Sequence, residues 1–323
     1  MQIPRELSEK INSLYGEIKN DKIKNIQKNL TDKYKNKTGE SKSLIDGKND
    51  SILYAISRMP ATYSVISTLL SDLINQDKLK DIKNIYDFGS GTGSGYFACK
   101  EIFENAKISL FERDKNMIET FSKLSNENVN KFDLLSSDFE KLKGERVDLI
   151  MSSYVLSELS ESDRQNAFKK LLNLSSNYVL IIDTGTPKTY EGMIKLKQIA
   201  VENGYMVSAP CKNENCPLQN DYCQFFARVE RSALLRQAKD ASLSYEDEKY
   251  FYLLFEKNDL VGKNNQDKKD YASKCRVIRR PKIKTNEIEL VVCGEQGVEN
   301  KKITKKDKEF FKRAKKIKIN QEF

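Results

Sequence analysis

The chain has no histidine and no tryptophan among its 323 residues. Without imidazole, any proton transfer or metal binding must fall on carboxylates, thiols, phenols or amines. Proline is scarce and glycine thin, at 6 and 14 residues. No stretch approaches the roughly 18 apolar residues that a membrane-spanning helix needs. The first residues, Met1 to Glu6, lack a signal peptide's apolar core. They also lack the Arg/Ser-rich, acid-poor composition of a transit peptide. The expected setting is therefore the bacterial cytoplasm, or the mitochondrial matrix if the source is eukaryotic, with no membrane partner. Of six cysteines none precedes Cys99, and no Cys-x2-Cys pair occurs. In a reducing compartment these are thiols or metal ligands rather than disulfides.

What is present is charge, unevenly placed. Lys and Arg outnumber Asp and Glu by 56 to 47, a net charge of +9. Residues 261–323 alone carry 19 Lys and Arg against 9 Asp and Glu, so the excess sits in the last fifth. One cluster is Arg276, Arg279, Arg280, Lys282 and Lys284. Another runs from Lys301 to Lys318 through Lys312, Arg313, Lys315 and Lys316, with Phe310 and Phe311 between. Clustered cations with aromatics suit a phosphate backbone. Single-stranded or structured RNA fits better than DNA, because no groove-reading helix motif appears. The competing reading is a solvated, lysine-rich face.

The expected organisation has three parts. Residues 1–80 form a helical segment, residues 81–206 a nucleotide-binding domain, and residues 207–323 a cysteine-cluster and basic region. Helical spacing runs from Ser51 to Leu73 and breaks at Pro60. Strands are predicted at Ile82–Phe88, Ile108–Phe111, Phe132–Leu135, Val147–Met151 and Tyr178–Ile182. Helices are predicted at Tyr96–Phe103, Lys115–Leu124 and around Arg164–Leu172. Such alternation predicts a parallel sheet covered on both faces. Further strands are expected at Tyr250–Phe255, Arg276–Ile278 and Glu287–Val292. A polar loop is expected over Val261–Asp270 and a basic helix over Thr304–Lys318.

The first strand runs into Asp87-Phe88-Gly89-Ser90-Gly91-Thr92-Gly93. Glycines there let backbone approach a ligand and adopt positive φ, and the helix that follows offers amide donors. The glycines do not fall in the G-x-G-x-x-G dinucleotide spacing, and no P-loop lysine follows. The second strand ends in Glu112, placed to accept hydrogen bonds from ribose hydroxyls. Asp138 follows the third strand, where a polar pair can meet an adenine edge. This order predicts an α/β fold of the class I S-adenosylmethionine (SAM) methyltransferase type. SAM is the expected cofactor, held by Asp87, Gly89, Ser90, Gly91, Gly93, Glu112 and Asp138. The place after the fourth strand reads Ser152-Ser153-Tyr154-Val155, not the Asn/Asp-Pro-Pro-aromatic segment of amino-methylating enzymes. No cysteine lies in residues 100–210 to act as a nucleophile. No catalytic residue is assigned, and Cys99 reads as a packed small side chain.

Cys211, Cys216-Pro217 and Cys223 put three thiols within thirteen residues. Looser spacing than zinc knuckles, a proline after one thiol and a distant fourth suit a [4Fe–4S] cluster better than zinc. Zinc, or thiols that hold no metal, are the alternatives. Cys293 is the expected fourth ligand and Cys275 its competitor.

Ser57-Arg58-Met59-Pro60-Ala61-Thr62-Tyr63, the glycine loop, Asp183-Thr184-Gly185-Thr186-Pro187, the Cys211–Cys223 block with Pro217-Leu218, and Ser244-Tyr245-Glu246-Asp247-Glu248-Lys249 occur in that order. Together they resemble the Rsm-twenty-two family of bacterial and mitochondrial small-ribosomal-subunit methyltransferase-like proteins, from about residue 50 onward. The resemblance implies a SAM-binding fold, association with the small ribosomal subunit and its rRNA, and a role in subunit assembly or translation. It also implies a [4Fe–4S] cluster on Cys211, Cys216, Cys223 and Cys293. The family pattern leaves open whether methyl transfer to rRNA is retained. The chain departs from that pattern at Lys212-Asn213-Glu214-Asn215, where relatives often carry a histidine. It departs again at Tyr222-Cys223-Gln224-Phe225, which replaces Trp-Cys-His-Phe.

Overall fold

A computed structural model describes residues 3–18, 26, 28–34, 40–142, 144–145, 147–174, 177–211, 216–218, 221–231, 236, 242–261, 275–294, 297–321 and 323. Most of the stretch expected as a polar loop, from residue 262 to 270, lies outside them.

The helical start is as its spacing dictates. Helix α1 (Arg5–Tyr15) turns Leu7, Ile11 and Leu14 inward, three positions on one stripe. They meet Ile52, Leu53 and Ile56 of α2 (Lys48–Ser57) and Met59 at the start of α3 (Met59–Asn75). The break near Pro60 is real. Proline sits in the first turn of α3, where its missing N–H leaves no bond unmade.

The central sheet begins with β1 (Asn84–Phe88), followed by α4 (Ser94–Ile102), β2 (Lys107–Glu112) and α5 (Lys115–Leu124). Asp114 caps α5 by accepting from the Asn116 and Met117 amides at 2.8 and 3.1 Å. Then come β3 (Val129–Lys131), β4 (Leu149–Ser153), α6 (Glu161–Leu172), β5 (Tyr178–Thr184), α7 (Pro187–Ile194) and α8 (Leu196–Glu202). The third strand lies earlier than expected. Phe132–Leu135 is not strand, because Phe132 packs edge-on against Phe88 and Phe111 beneath the sheet's end. The true β3 is a short, largely exposed edge without an apolar signature.

Strands β6 (Tyr205–Ala209), β7 (Phe225–Glu230) and β8 (Tyr245–Lys257) complete this sheet, so it does not stop at residue 206. The order is β3-β2-β1-β4-β5-β8-β6, with β7 also on β8. Strands β1 to β5 pair in parallel, and β8 runs antiparallel to β5 and β6. Along one edge β8 pairs with β6 through Leu254–Lys257 and with β7 through Tyr245–Tyr250. The connection carrying Cys211, Cys216 and Cys223 spans the handover from β6 to β7.

A second, antiparallel sheet follows, with β9 (Arg276–Val277), β10 (Lys282–Ile283), β11 (Glu287–Gly294) and β12 (Gly297–Thr304). Val277, Ile288, Leu290 and Val292 form its core with Ala314 of α9 (Lys308–Lys316). The basic helix is shorter than expected. Asp307 caps it by accepting from the Phe310 amide at 3.2 Å, and the residues before Thr304 pair as β12.

Candidate functional site

The strand order reverses between β1 and β4. Ligands bind open α/β sheets at such a point, beyond the carboxyl ends of the strands. The glycine loop leaves β1 there. The amides of Gly89 and Ser90 donate to the Phe111 carbonyl at 2.7 and 3.1 Å, and that of Gly91 to Glu112 Oε2 at 2.9 Å. Gly89 and Gly93 have φ of 72° and 90°. A Cβ on Gly89 would lie 2.2 Å from Val155, and one on Gly93 2.4 Å from the Phe121 ring. The loop therefore requires glycine twice over, by dihedral and by space.

Around it lie polar atoms with nothing to bond. Asp87 Oδ2 and the hydroxyls of Ser90, Thr92, Ser152, Ser153 and Tyr154 are buried and unpartnered among the described residues. All six residues flank the ends of β1 and β4. Unpaired buried polar atoms are costly, and a cluster of them marks a place for a polar ligand. Burial pushes the Asp87 carboxyl up to about 7, with Glu112 adding to the shift. Burial also raises the Glu112 carboxyl, against hydrogen bonds from the Asp114, Gly91 and Arg113 amides.

A pocket joins Gly89, Gly91, Glu112 and Asp114 to Asp133, Tyr154 and Glu158. Asp138 is not in it. It is exposed and accepts from the Glu140 amide at 3.0 Å, so the acid after β3 that reaches the pocket is Asp133. Sequence reasoning missed the pocket's roof, Tyr34 and Ser43–Ile45 from the N-terminal segment. A strap around Ser41 crosses the sheet's ligand edge. Its amide donates to the Glu158 carbonyl at 3.0 Å and its hydroxyl to Asp163 at 2.6 Å. Ser43 donates to Asp114 at 3.1 Å. Polar, irregular residues gave no periodicity by which to find this lid. Also unforeseen is Arg58, at the α2–α3 joint, which pairs with Glu248 of β8 at 2.9 Å. Glu158, which lines the pocket, is pushed up to about 8, chiefly by burial.

The second site lies at the β6–β7 handover. Cys223 is buried, while Cys211, Cys216 and Cys293 are half-buried. Cys211 and Cys216 lie close enough to Cys223 and Cys293 to influence both thiols. Cys293 is pushed up to about 11 by burial, against the pull of Arg276, with Cys211, Cys216 and Cys223 adding to the rise. Tyr190 meets Cys216 Sγ at 2.7 Å, Arg276 Nη2 donates to Cys223 Sγ at 3.3 Å, and Lys197 Nζ to Cys211 Sγ at 3.8 Å. Cys275 stands apart, its thiol donating to the Phe323 carbonyl at 3.4 Å within the second sheet's core. Cys99 is fully buried in α4. Among the described residues no group of three or more His, Cys, Asp or Glu side chains is arranged to hold a metal ion.

Of the expected RNA contacts, Arg276 is misplaced. It turns inward to the thiols, its guanidinium 4.8 Å over the Phe225 ring, so it cannot offer charge to a phosphate. Arg279 pairs with Asp221. Arg280, Lys312, Arg313, Lys315 and Lys316 are exposed, and Phe310 is exposed beside them. Phe311 instead packs on the second sheet's core.

The sheet order, with one reversed strand next to last, and the glycine loop at its switch point define a class I SAM-methyltransferase-type fold. The chain belongs to the family described as Mitochondrial small ribosomal subunit Rsm22, whose model matches residues 48–323. Among solved structures it is similar to the putative RNA methyltransferase PH1948 from Pyrococcus horikoshii, at 17% identity, covering 60% of this chain and 84% of that one, with a TM-score of 0.40. It is similar to magnesium protoporphyrin IX methyltransferase (ChlM) from Synechocystis PCC 6803 with bound SAM, at 10% identity, 70% and 90% coverage, and a TM-score of 0.40. It is also similar to the plantazolicin methyltransferase BpumL in complex with a pentazolic desmethylPZN analog and SAH, at 13% identity, 73% and 99% coverage, and a TM-score of 0.43. A comparison with curated proteins returned no match.

Proposed function

We propose that this is a SAM-binding, iron–sulfur protein of the small ribosomal subunit, which binds its rRNA and supports subunit assembly or translation. What supports the reading is the placing of Cys211, Cys216 and Cys223 in the β6–β7 connection on the same side as Cys293 at the end of β11, with Arg276 against Cys223 and Lys197 against Cys211.

The donor set fits the cluster. Four thiols and no imidazole is the ligand chemistry of [4Fe–4S] centres. When bound, a cluster supplies one-electron chemistry or a structural clamp. The chain's own part is to supply Cys211, Cys216, Cys223 and Cys293, and so to tie the second sheet to the first. At the switch point, the orphaned Asp87, Ser90 and Thr92 atoms and the Gly89–Gly93 backbone suit the polar parts of SAM, and Glu112 suits its ribose. The exposed cations of α9, with Arg280, suit an RNA backbone. Residues Ser152–Val155 offer no recognised transfer motif, which favours a cofactor-holding role over an active rRNA methyltransferase. The site of action is where small subunits are made, the mitochondrial matrix or the bacterial cytoplasm.

Anaerobically purified protein is expected to be brown, to contain iron and acid-labile sulfide, and to bind SAM. Colourless protein with stoichiometric zinc would replace the cluster with zinc. Labelled methyl from SAM should not enter small-subunit rRNA. Incorporation that is lost in Asp87→Ala would establish the methyltransferase instead.

A further inference from the structure

Two cations are built into the thiol site where ordinary lysines and arginines are not found. Lys197, on α8, is only 2% exposed. Its amine lies 3.8 Å from Cys211 Sγ. Arg276, on β9, spends one Nη on the Pro210 carbonyl at 3.2 Å and the other on Cys223 Sγ at 3.3 Å. Its Nε is buried with no partner among the described residues. Among the ionisable groups that act most on Arg276 are Cys223, Cys211, Tyr252 and Cys293. Burying the Arg276 guanidinium is costly unless its charge is paired. Four thiolates on an oxidised [4Fe–4S] core leave two net negative charges, which cations beside the ligand sulfurs would offset.

We propose that Arg276 and Lys197 are the counter-cations of the thiol site, offsetting a bound cluster's charge and donating hydrogen bonds to its cysteine sulfurs. This rests on the cluster reading given above. Both are positioning residues that act through Cys223 and Cys211. In a chain without histidine, they take the place of imidazole donors around the ligands. Cationic donors to sulfur favour the more negative, reduced state and so raise the reduction potential. They also bind the cluster to the fold. Arg276 lies directly opposite Cys293 in the β9–β11 ladder, so one register fixes a ligand and its counter-charge together.

The test is anaerobic reconstitution of the full chain, with iron and sulfide analysis and a potentiometric titration, for wild type, Arg276→Gln, Arg276→Lys and Lys197→Gln. Wild type should hold the cluster. Arg276→Gln should lower the reduction equilibrium constant about tenfold, ~59 mV for one electron. Lys197→Gln should shift it the same way, and Arg276→Lys should recover more than half of the loss. If Arg276→Gln fails to fold, Lys197→Gln and Arg276→Lys still decide. Cluster-loaded variants with unchanged potentials would overturn the proposal and leave the cluster standing. Arg276→Lys as impaired as Arg276→Gln would make the role one of packing on Phe225. Wild type that takes up no iron and sulfide would overturn the cluster, and the proposal with it.

Discussion

Asp87 shows how one side chain can record a missing partner. Its carboxyl is buried at the end of β1, with one oxygen unbonded and a pKa near 7. The folded value lies above the unfolded one of 3.8, so the protonated form favours folding. That stability is full in acid and is lost as the pH rises through about 7. Asp87→Asn should therefore stabilise the SAM-free protein above pH 7 by about 2–4 kcal/mol and do little near pH 4. Melting curves at pH 5 and pH 8 check this. The same substitution should weaken SAM binding at least tenfold by calorimetry. Cysteine offers a second single-residue test. Cys293→Ser should abolish iron uptake, whereas Cys275→Ser should keep it, because the Cys275 thiol serves the Phe323 carbonyl. Iron per chain after reconstitution separates the two.

At the scale of elements, the loop and helix around the switch point tolerate little change. A Cβ on Gly95 of α4 would lie 2.3 Å from Asp87 Oδ2 and 2.6 Å from Met151. Gly95→Ala should cost roughly 1–3 kcal/mol of stability, the usual range for overpacking, measured by denaturant unfolding. The strap should be more forgiving. Ser41→Ala removes the hydroxyl that joins Asp163 and the Ser160 amide. Losing about 1 kcal/mol of net bonding there should raise SAM association about fivefold if the strap must lift for entry, read by stopped flow. Elements also show where sequence was legible. α5 was found to the residue and β1, β2, β4 and β5 to within two or three, because apolar runs between caps and glycines specify them. β3 and β12 were not, because short or polar edge strands take their form from a neighbour's hydrogen bonds, and β7, though it alternates, reads in sequence as part of the cysteine segment. The glycine loop and Glu112 stood out in sequence. The Ser43–Ile45 roof, Arg58 with Glu248, and the inward turn of Arg276 depend on contacts between distant segments, which residue type alone does not reveal.

Across the whole molecule, charge is segregated from the fold that carries it. Helix α9 holds exposed Lys312, Arg313, Lys315 and Lys316, while the large sheet holds the glycine-loop site. Replacing those four by Gln should leave SAM binding and melting temperature unchanged. It should weaken small-subunit rRNA binding and flatten its dependence on salt by about 3 in log–log slope, measured by filter binding between low and moderate salt.

The position of β8 has a consequence for how the molecule is made. Three thiols leave the ribosome before the strand that organises them, and the fourth follows only after β8 is complete. Until Cys293 and Arg276 are synthesised, Cys211, Cys216 and Cys223 belong to an unfinished site. Assembly of the proposed site thus waits on chain completion: a product that ends before β11 lacks Cys293 and cannot bring the four thiols together.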